Sequence, residues 1–102
     1  MIPAVEERAD ELRRLCFAYG VQRLDLFGSA STGLYDGDES DLDFLVEFQP
    51  AALSAYADAY FGFLEALGAL FGRPVDLVVE SAIRNPYFVR SVEQTRTPIF
   101  VA

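Results

Sequence analysis

The stretch Gly28-Ser29-Ala30-Ser31-Thr32-Gly33, followed by Ser40-Asp41-Leu42-Asp43 and later by Val75-Asp76-Leu77, decides how this chain is interpreted. The Gly-Ser turn ends an apolar run, and each acidic cluster opens another one. A glycine turn frees backbone N–H groups for an anion, and carboxylates beside it are ligands for divalent cations. The pattern therefore predicts metal-assisted phosphate chemistry.

Hydrophobic periodicity predicts the elements that carry these motifs. In order they are a helix from Pro3 to about Tyr19, a strand Val21–Phe27, a strand Leu42–Phe48, a helix Leu53–Phe71, a strand Val75–Val79, a helix from the N-cap Asn85 to about Gln94, and a last strand or docked tail at Pro98–Val101. Leu24 and Leu26 are expected to point inward, and residues 33–40 to form a loop. This order predicts an α/β (α+β) fold in which a small mixed β-sheet is flanked by helices.

Composition narrows the class of protein. With 102 residues and 52% hydrophobic content, the chain is expected to form a single domain, residues 1–102, with one core. A net charge of −8 with no lysine argues against nucleic acid as the main partner, because phosphate contacts need Lys and Arg. The chain has no histidine and one cysteine, Cys16, which excludes an internal disulfide and a zinc site and favours a buried filler role.

The N-terminus is acidic and lacks the pattern of a signal peptide, and no apolar run reaches the ~18 residues of a membrane span. A cytoplasmic protein without a membrane contact is therefore expected. The sequence leaves open whether the chain forms a homo-oligomer.

Three aspartates are the candidate metal ligands. Asp41 and Asp43 are two residues apart on a predicted strand, so their side chains leave the same face and repel each other unless a cation such as Mg²⁺ lies between them. Asp76 interrupts an apolar run and also needs a charged neighbour. The alternatives are that the first two are solvated acids at a strand start, and that Asp76 pairs with Arg73 or occupies an edge position.

The sequence excludes two other motifs that bind phosphate or metal, the P-loop and the calcium-binding hand loop. The first six positions of a P-loop are met by Gly28 to Gly33, but Leu34-Tyr35 stands where Lys-Ser/Thr is required. A calcium-binding hand loop starting at Asp36 would place Asp41 at the sixth position, where Gly is needed for the sharp turn.

Taken together, the motifs resemble those of the minimal nucleotidyltransferases of the DNA polymerase β superfamily. The resemblance runs over about residues 20 to 90 and is carried by Leu26 to Gly33, Ser40 to Glu47, Arg73 to Val78 and the tail Arg84-Asn85-Pro86-Tyr87-Phe88. It implies the polymerase β-like fold and a nucleotidyltransferase that uses ATP and Mg²⁺, with two ions expected. Asp41, Asp43 and Asp76 would be the catalytic and metal-binding residues, with Asp76 helping to activate the acceptor hydroxyl, and Gly28, Ser29, Gly33 and Ser40 would bind the nucleotide.

The resemblance also implies a biological role. Stand-alone members are typically antitoxins of toxin–antitoxin pairs, and some silence a HEPN-domain ribonuclease by transferring AMP to one of its tyrosines. The alternatives are an antitoxin that acts by contact alone and a transferase with a small-molecule acceptor, which the short chain disfavours. An aromatic stripe around Tyr56, Tyr60 and Phe63 is either a partner face or core, with core the more common outcome.

One position departs from the family pattern. Many relatives carry Arg before the glycine that ends the turn, and this chain has Thr32. The loss removes a bidentate phosphate contact worth roughly 1.5–3 kcal/mol, unless Arg23, Arg73 or a partner's arginine replaces it.

Overall fold

The computed structural model describes residues 3–28 and 41–102. The elements in this part of the chain are α1 (Pro3–Glu6), α2 (Ala9–Ala18), β1 (Val21–Phe27), β2 (Leu42–Phe48), a 3-10 helix (Pro50–Ala55), α3 (Tyr56–Phe71), β3 (Val75–Val79), a second 3-10 helix (Glu80–Ala82), α4 (Pro86–Thr95) and β4 (Thr97–Val101). The strands form one mixed sheet in the order β3-β2-β1-β4. Strands β2 and β3 are parallel and are joined through α3, whereas β1 pairs antiparallel with β2 and β4.

One face of the sheet is covered by α2 and α3, which supply Leu12, Cys16, Phe63 and Leu67 to the main core. Leu24 and Leu26 of β1 point into this core and are fully buried, as the alternation predicted. Cys16 is a buried core residue, in agreement with the filler role, and burial raises the pKa of its thiol to about 12.

The other face is covered by α4 over part of its area. Phe27 of β1 and Leu45 of β2 pack there against Val92 of α4 in a second, smaller cluster. The end of β1 is therefore buried on both faces, and Asp25, which lies between Leu24 and Leu26, has no exposed surface.

Two predicted helices differ from the observed ones. The expected helix from Pro3 to Tyr19 is divided, because Arg8 has φ −106° and ψ 16° and interrupts the helical backbone between α1 and α2. The expected helix from Leu53 begins instead as the 3-10 segment Pro50–Ala55, and α3 starts only after Ala55, whose φ of −131° and ψ of 50° are not helical.

The remaining boundaries follow the sequence signals. Gly72 adopts the left-handed conformation (φ 65°) that ends α3, and its N–H donates to the Gly68 carbonyl at 2.8 Å. The Asn85 side chain caps α4 by accepting from the N–H of Tyr87 at 2.9 Å, with Pro86 at the first helical position. The C-terminal segment is a true strand, β4, and not a docked tail.

Candidate active site

The parallel pairing of β2 and β3 brings two of the predicted aspartates together. Asp43 is the direct register partner of Asp76, so both side chains leave the same face of the sheet. This is the face that α4 covers only in part. Asp43 is half-buried, and Asp76 is exposed on an edge strand.

The carboxyl group of Asp43 carries the clearest electrostatic sign of a site. Burial, followed by the negative charges of Asp76 and Asp41 and a side-chain hydrogen bond with Asp76, raises the pKa of Asp43 from 3.8 to about 6. A carboxylate in this position is costly when ionised, and a cation would relieve the cost. The local charge therefore favours a bound cation on this face.

Gly28 closes the site on the β1 side. The residue before it, Phe27, is the register partner of Asp43, and Gly28 itself has φ 77°, which favours glycine. A Cβ added at Gly28 would lie 2.7 Å from Oδ2 of Asp43, so any side chain here would displace this carboxylate. The end of β1 and the acid pair thus form one compact unit.

The carboxylates at the site suit a Mg²⁺ ion that takes most of its ligands from phosphate and water, and not a metal enclosed by protein ligands alone. In residues 3–28 and 41–102, no three Asp, Glu, His or Cys side chains are close enough to enclose a metal ion. Asp43 and Asp76 are the close pair, while Asp41 is exposed at the start of β2 and acts on Asp43 through its charge. Mg²⁺ is usually held by one or two carboxylates together with substrate phosphates and water, which matches this pair.

Several predicted positions lie outside the described residues, namely Ser29, Thr32, Gly33 and Ser40. Gly28 is described, and its backbone N–H donates to Thr95 Oγ1 at 3.0 Å. This donor is therefore already engaged within the protein. The contribution of Gly28 is its left-handed backbone and its lack of a side chain.

Sequence reasoning missed a buried charge network beside the site. Arg96 donates from Nε to Oδ2 of the fully buried Asp25 at 2.6 Å, and from Nη1 to Glu80 and Glu93 at 2.7 and 2.6 Å. Arg23 adds a contact to the other oxygen of Asp25 at 3.2 Å. The sequence signal for this network was Asp25 between Leu24 and Leu26. Strand alternation places Asp25 on the face opposite these leucines, which would be exposed to solvent in a sheet covered by helices on one face alone.

The aromatic stripe divides between core and surface. Phe63 is fully buried, which makes it core, whereas Tyr56 and Tyr60 line an apolar groove of about 640 Å³ beside edge strand β3. Leu77, Val78 and Phe88 line the same groove, but none of the three candidate aspartates does. The groove and the acid pair are thus neighbours on β3 and not one cavity.

The family follows from comparison with known proteins. The family model described as a nucleotidyltransferase domain matches residues 11–99, which include β1, β2 and β3 and all three aspartates. This chain belongs to the nucleotidyltransferase family. The resemblance in the motifs is confirmed, and the enzyme class with it.

Two relatives from Methanocaldococcus jannaschii support this membership. This chain is 36% identical over 76 residues to a protein named "Putative protein adenylyltransferase MJ1379". It is 37% identical over 78 residues to a second, named "Putative protein adenylyltransferase MJ0128". Each match covers 74% of this chain and 74% of the relative.

Solved structures share the fold. One described as a "putative minimal nucleotidyltransferase" has a TM-score of 0.74 and 29% identity, and the match covers 92% of this chain and 91% of the other. A toxin–antitoxin complex with AMP-PNP has a TM-score of 0.67 and a sequence identity of 19%. A complex of an AMPylated Shewanella oneidensis HEPN toxin with an MNT antitoxin has a TM-score of 0.59 and a sequence identity of 15%. These matches cover 92% and 95% of this chain and 73% and 72% of the others. The likeness to the 29% identical structure confirms the predicted fold, a small mixed sheet flanked by helices.

No helix in the described part of the chain has the length and apolar content needed to cross a bilayer.

Proposed function

We propose that this nucleotidyltransferase transfers AMP from ATP to a tyrosine hydroxyl of a HEPN-domain toxin, as the antitoxin of a cytoplasmic toxin–antitoxin pair. The observation that carries the proposal is the acid pair of Asp43 and Asp76, aligned across β2 and β3 with Gly28 packed against Asp43. In such a transfer the acceptor oxygen forms a bond to the α-phosphorus, the bond to the β-phosphate oxygen breaks, and pyrophosphate leaves.

The positions of the three aspartates suggest different roles in metal binding and in activation of the acceptor hydroxyl. Asp43 and Asp76, the close pair, would hold Mg²⁺ together with phosphate oxygens and water. Asp41, beside them at the start of β2, would complete the ligands for the second of the two ions that the resemblance implies, and the metal would neutralise phosphate charge and polarise the α-phosphate. Asp43 lies between the turn at Gly28 and β3, at the centre of the site. Asp76 is exposed on the edge strand, where an incoming hydroxyl has access, and is suited to orient it and draw its proton.

The partner is inferred from the relatives. The archaeal relatives are named protein adenylyltransferases, and one complex of the same fold contains an AMPylated HEPN toxin with its antitoxin. A structure of that fold also contains AMP-PNP, which supports an adenine nucleotide as the donor. The charge of −8 suits a basic ribonuclease as partner, since opposite charges speed association.

The proposal is tested by a single turnover with α-labelled ATP, Mg²⁺ and a candidate HEPN-domain protein from the same genome. We expect label on a toxin tyrosine, and a loss of about 100-fold or more in rate for Asp41→Asn/Asp43→Asn, because metal stabilisation of the transition state amounts to several kcal/mol. The matched control is Asp58→Asn, an exposed acid in the first turn of α3. Equal labelling by the double variant and the wild type contradicts the proposal.

The same double variant separates catalysis from contact. If the toxin is silenced by AMP transfer, the variant fails to neutralise it in cells although it still binds. Full neutralisation by the variant would instead identify an antitoxin that acts by binding alone.

A further inference from the structure

The hydrogen bond between Gly28 and Thr95 joins the end of β1 to the end of α4 beside the site. Gly28 is the first residue after β1, and Thr95 is the last residue of α4, 67 positions later. The Gly28 N–H donates to Thr95 Oγ1 at 3.0 Å. The residue that begins the predicted phosphate-binding turn is therefore attached to a helix end and not only to its own strand.

The Thr95 hydroxyl is oriented for this role. Its Oγ1 donates to the Ser91 carbonyl at 3.4 Å, one turn earlier in α4. A hydroxyl has one proton and two acceptor lone pairs, so a Thr95 hydroxyl that donates to Ser91 can at the same time accept from the Gly28 N–H. The side chain is thus held in the orientation in which it accepts the Gly28 N–H.

The neighbouring residue fixes the helix end on the same strand. Arg96, which follows Thr95, binds the fully buried Asp25, and Asp25 lies three residues before Gly28. Arg96 is 13% exposed and also contacts Glu80 and Glu93. The C-terminal end of α4 is therefore attached to β1 at two points, Asp25 and Gly28.

We propose that Thr95 is a positioning residue that sets the place of the Gly28 turn relative to Asp43, with Arg96 holding Thr95 in register. The inference rests on the proposed function and on the nucleotide-binding role that the family resemblance implies for Gly28. Gly28 lies beside Asp43, so a shift of its backbone changes the spacing between Gly28 and the acid pair. In this proposal Thr95 acts through Gly28.

The test compares Thr95→Val with Thr95→Ser in the full chain, using AMP-PNP with Mg²⁺ as the probe in calorimetry. Valine keeps the shape but leaves the Gly28 N–H without its acceptor, which predicts about a five- to tenfold weaker affinity. Serine keeps the oxygen and should restore wild-type affinity. Unchanged affinity in Thr95→Val, or an equal loss in both variants, overturns the proposal.

A variant that weakens the same helix separates positioning from general stability. Asn85→Ala removes the N-cap at the far end of α4 and retains the Thr95 hydroxyl, so we expect a lower melting temperature with nucleotide affinity unchanged. If Asn85→Ala weakens AMP-PNP binding as much as Thr95→Val, helix loosening explains the effect and the proposal is wrong.

The outcomes also distinguish this inference from the proposed function. Wild-type binding of AMP-PNP without AMP transfer to a protein contradicts the transfer, while the comparison of Val and Ser still decides the role of Thr95. A wild-type chain that binds no AMP-PNP contradicts both.

Discussion

At the scale of single residues, Gly28 has the most restrictive surroundings in the described part of the site. Its left-handed backbone disfavours any side chain by roughly 1–2 kcal/mol, and its Cβ position is 2.7 Å from the Asp43 carboxylate. We expect Gly28→Ala to lower the free energy of unfolding by about that amount or more and to abolish AMP transfer. Urea denaturation and the single-turnover assay measure the two effects.

Gly68 provides the matched control for Gly28. It lies within α3, and a Cβ added there meets nothing within 4 Å. Gly68→Ala should stabilise the protein by about 0.5–1 kcal/mol, as alanine does in a helix, with activity retained. A loss of activity in Gly68→Ala equal to that of Gly28→Ala would contradict the steric explanation.

The raised pKa of Asp43 predicts a pH-dependent stability in the metal-free protein. The folded pKa of about 6 exceeds the ordinary value of 3.8, so the folded state binds the proton more tightly than the unfolded state. This contribution is fully present below about pH 4 and is lost as the pH rises to about 6. Asp43→Asn removes the titration, so the variant should be more stable than the wild type above pH 6 and equal to it near pH 4 and below.

Urea denaturation of chelator-treated protein across this pH range makes the measurement. Addition of Mg²⁺ at pH 8 should stabilise the wild type more than Asp43→Asn, because the cation offsets the charge of the carboxylate. A stability difference between the two proteins that is the same at every pH would rule out Asp43 as the titrating group.

At the scale of elements, the ion network of Arg96 attaches α4 to β1. Removing one partner of a buried pair leaves an uncompensated charge and typically costs about 3–5 kcal/mol. We expect Arg96→Ala to lower the free energy of unfolding by about 3 kcal/mol. This is the lower end of the range, because Arg23 remains 3.2 Å from Asp25 and still offsets part of its charge. The measurement is the free energy of unfolding in urea.

Two further variants sharpen this prediction. Arg13→Ala breaks an exposed pair with Asp10 and should cost less than about 0.5 kcal/mol. Adding Asp25→Asn to Arg96→Ala removes the buried charge and should restore part of the lost stability. Similar losses for Arg13→Ala and Arg96→Ala would show that burial of Asp25 is not the cause.

At the scale of the whole molecule, the net charge of −8 governs approach to a partner. If association with the HEPN toxin is steered by charge, raising the salt from about 50 to about 500 mM should slow association about tenfold or more and change dissociation little. Stopped-flow or biosensor kinetics separate the two rates. An association rate independent of salt would contradict steering.

The extent to which the sequence predicted the molecule differs between kinds of element. Strands β1, β2 and β3 have the predicted limits, because each is a short alternating or apolar stretch with glycine, proline or an acid at or near its ends. Helix starts were less predictable, since the divisions at Arg8 and Ala55 depend on backbone angles that apolar spacing does not specify. The capping residues Asn85 and Gly72 were predictable because they act through their own local hydrogen bonds.

The sequence by itself determined which residues are candidates for the chemistry: the glycine turn, Asp41, Asp43 and Asp76 stand out by residue type and spacing along the chain. The tertiary structure decided that Asp43 meets Asp76, because their contact depends on the parallel register of β2 and β3. It also decided that Asp25 is buried against Arg96 and that Thr95 receives the Gly28 N–H. The two residues of each contact are far apart in the sequence, by 33 positions for Asp43 and Asp76, 71 for Asp25 and Arg96, and 67 for Gly28 and Thr95. The local hydrophobic pattern contains no information on pairings across such separations.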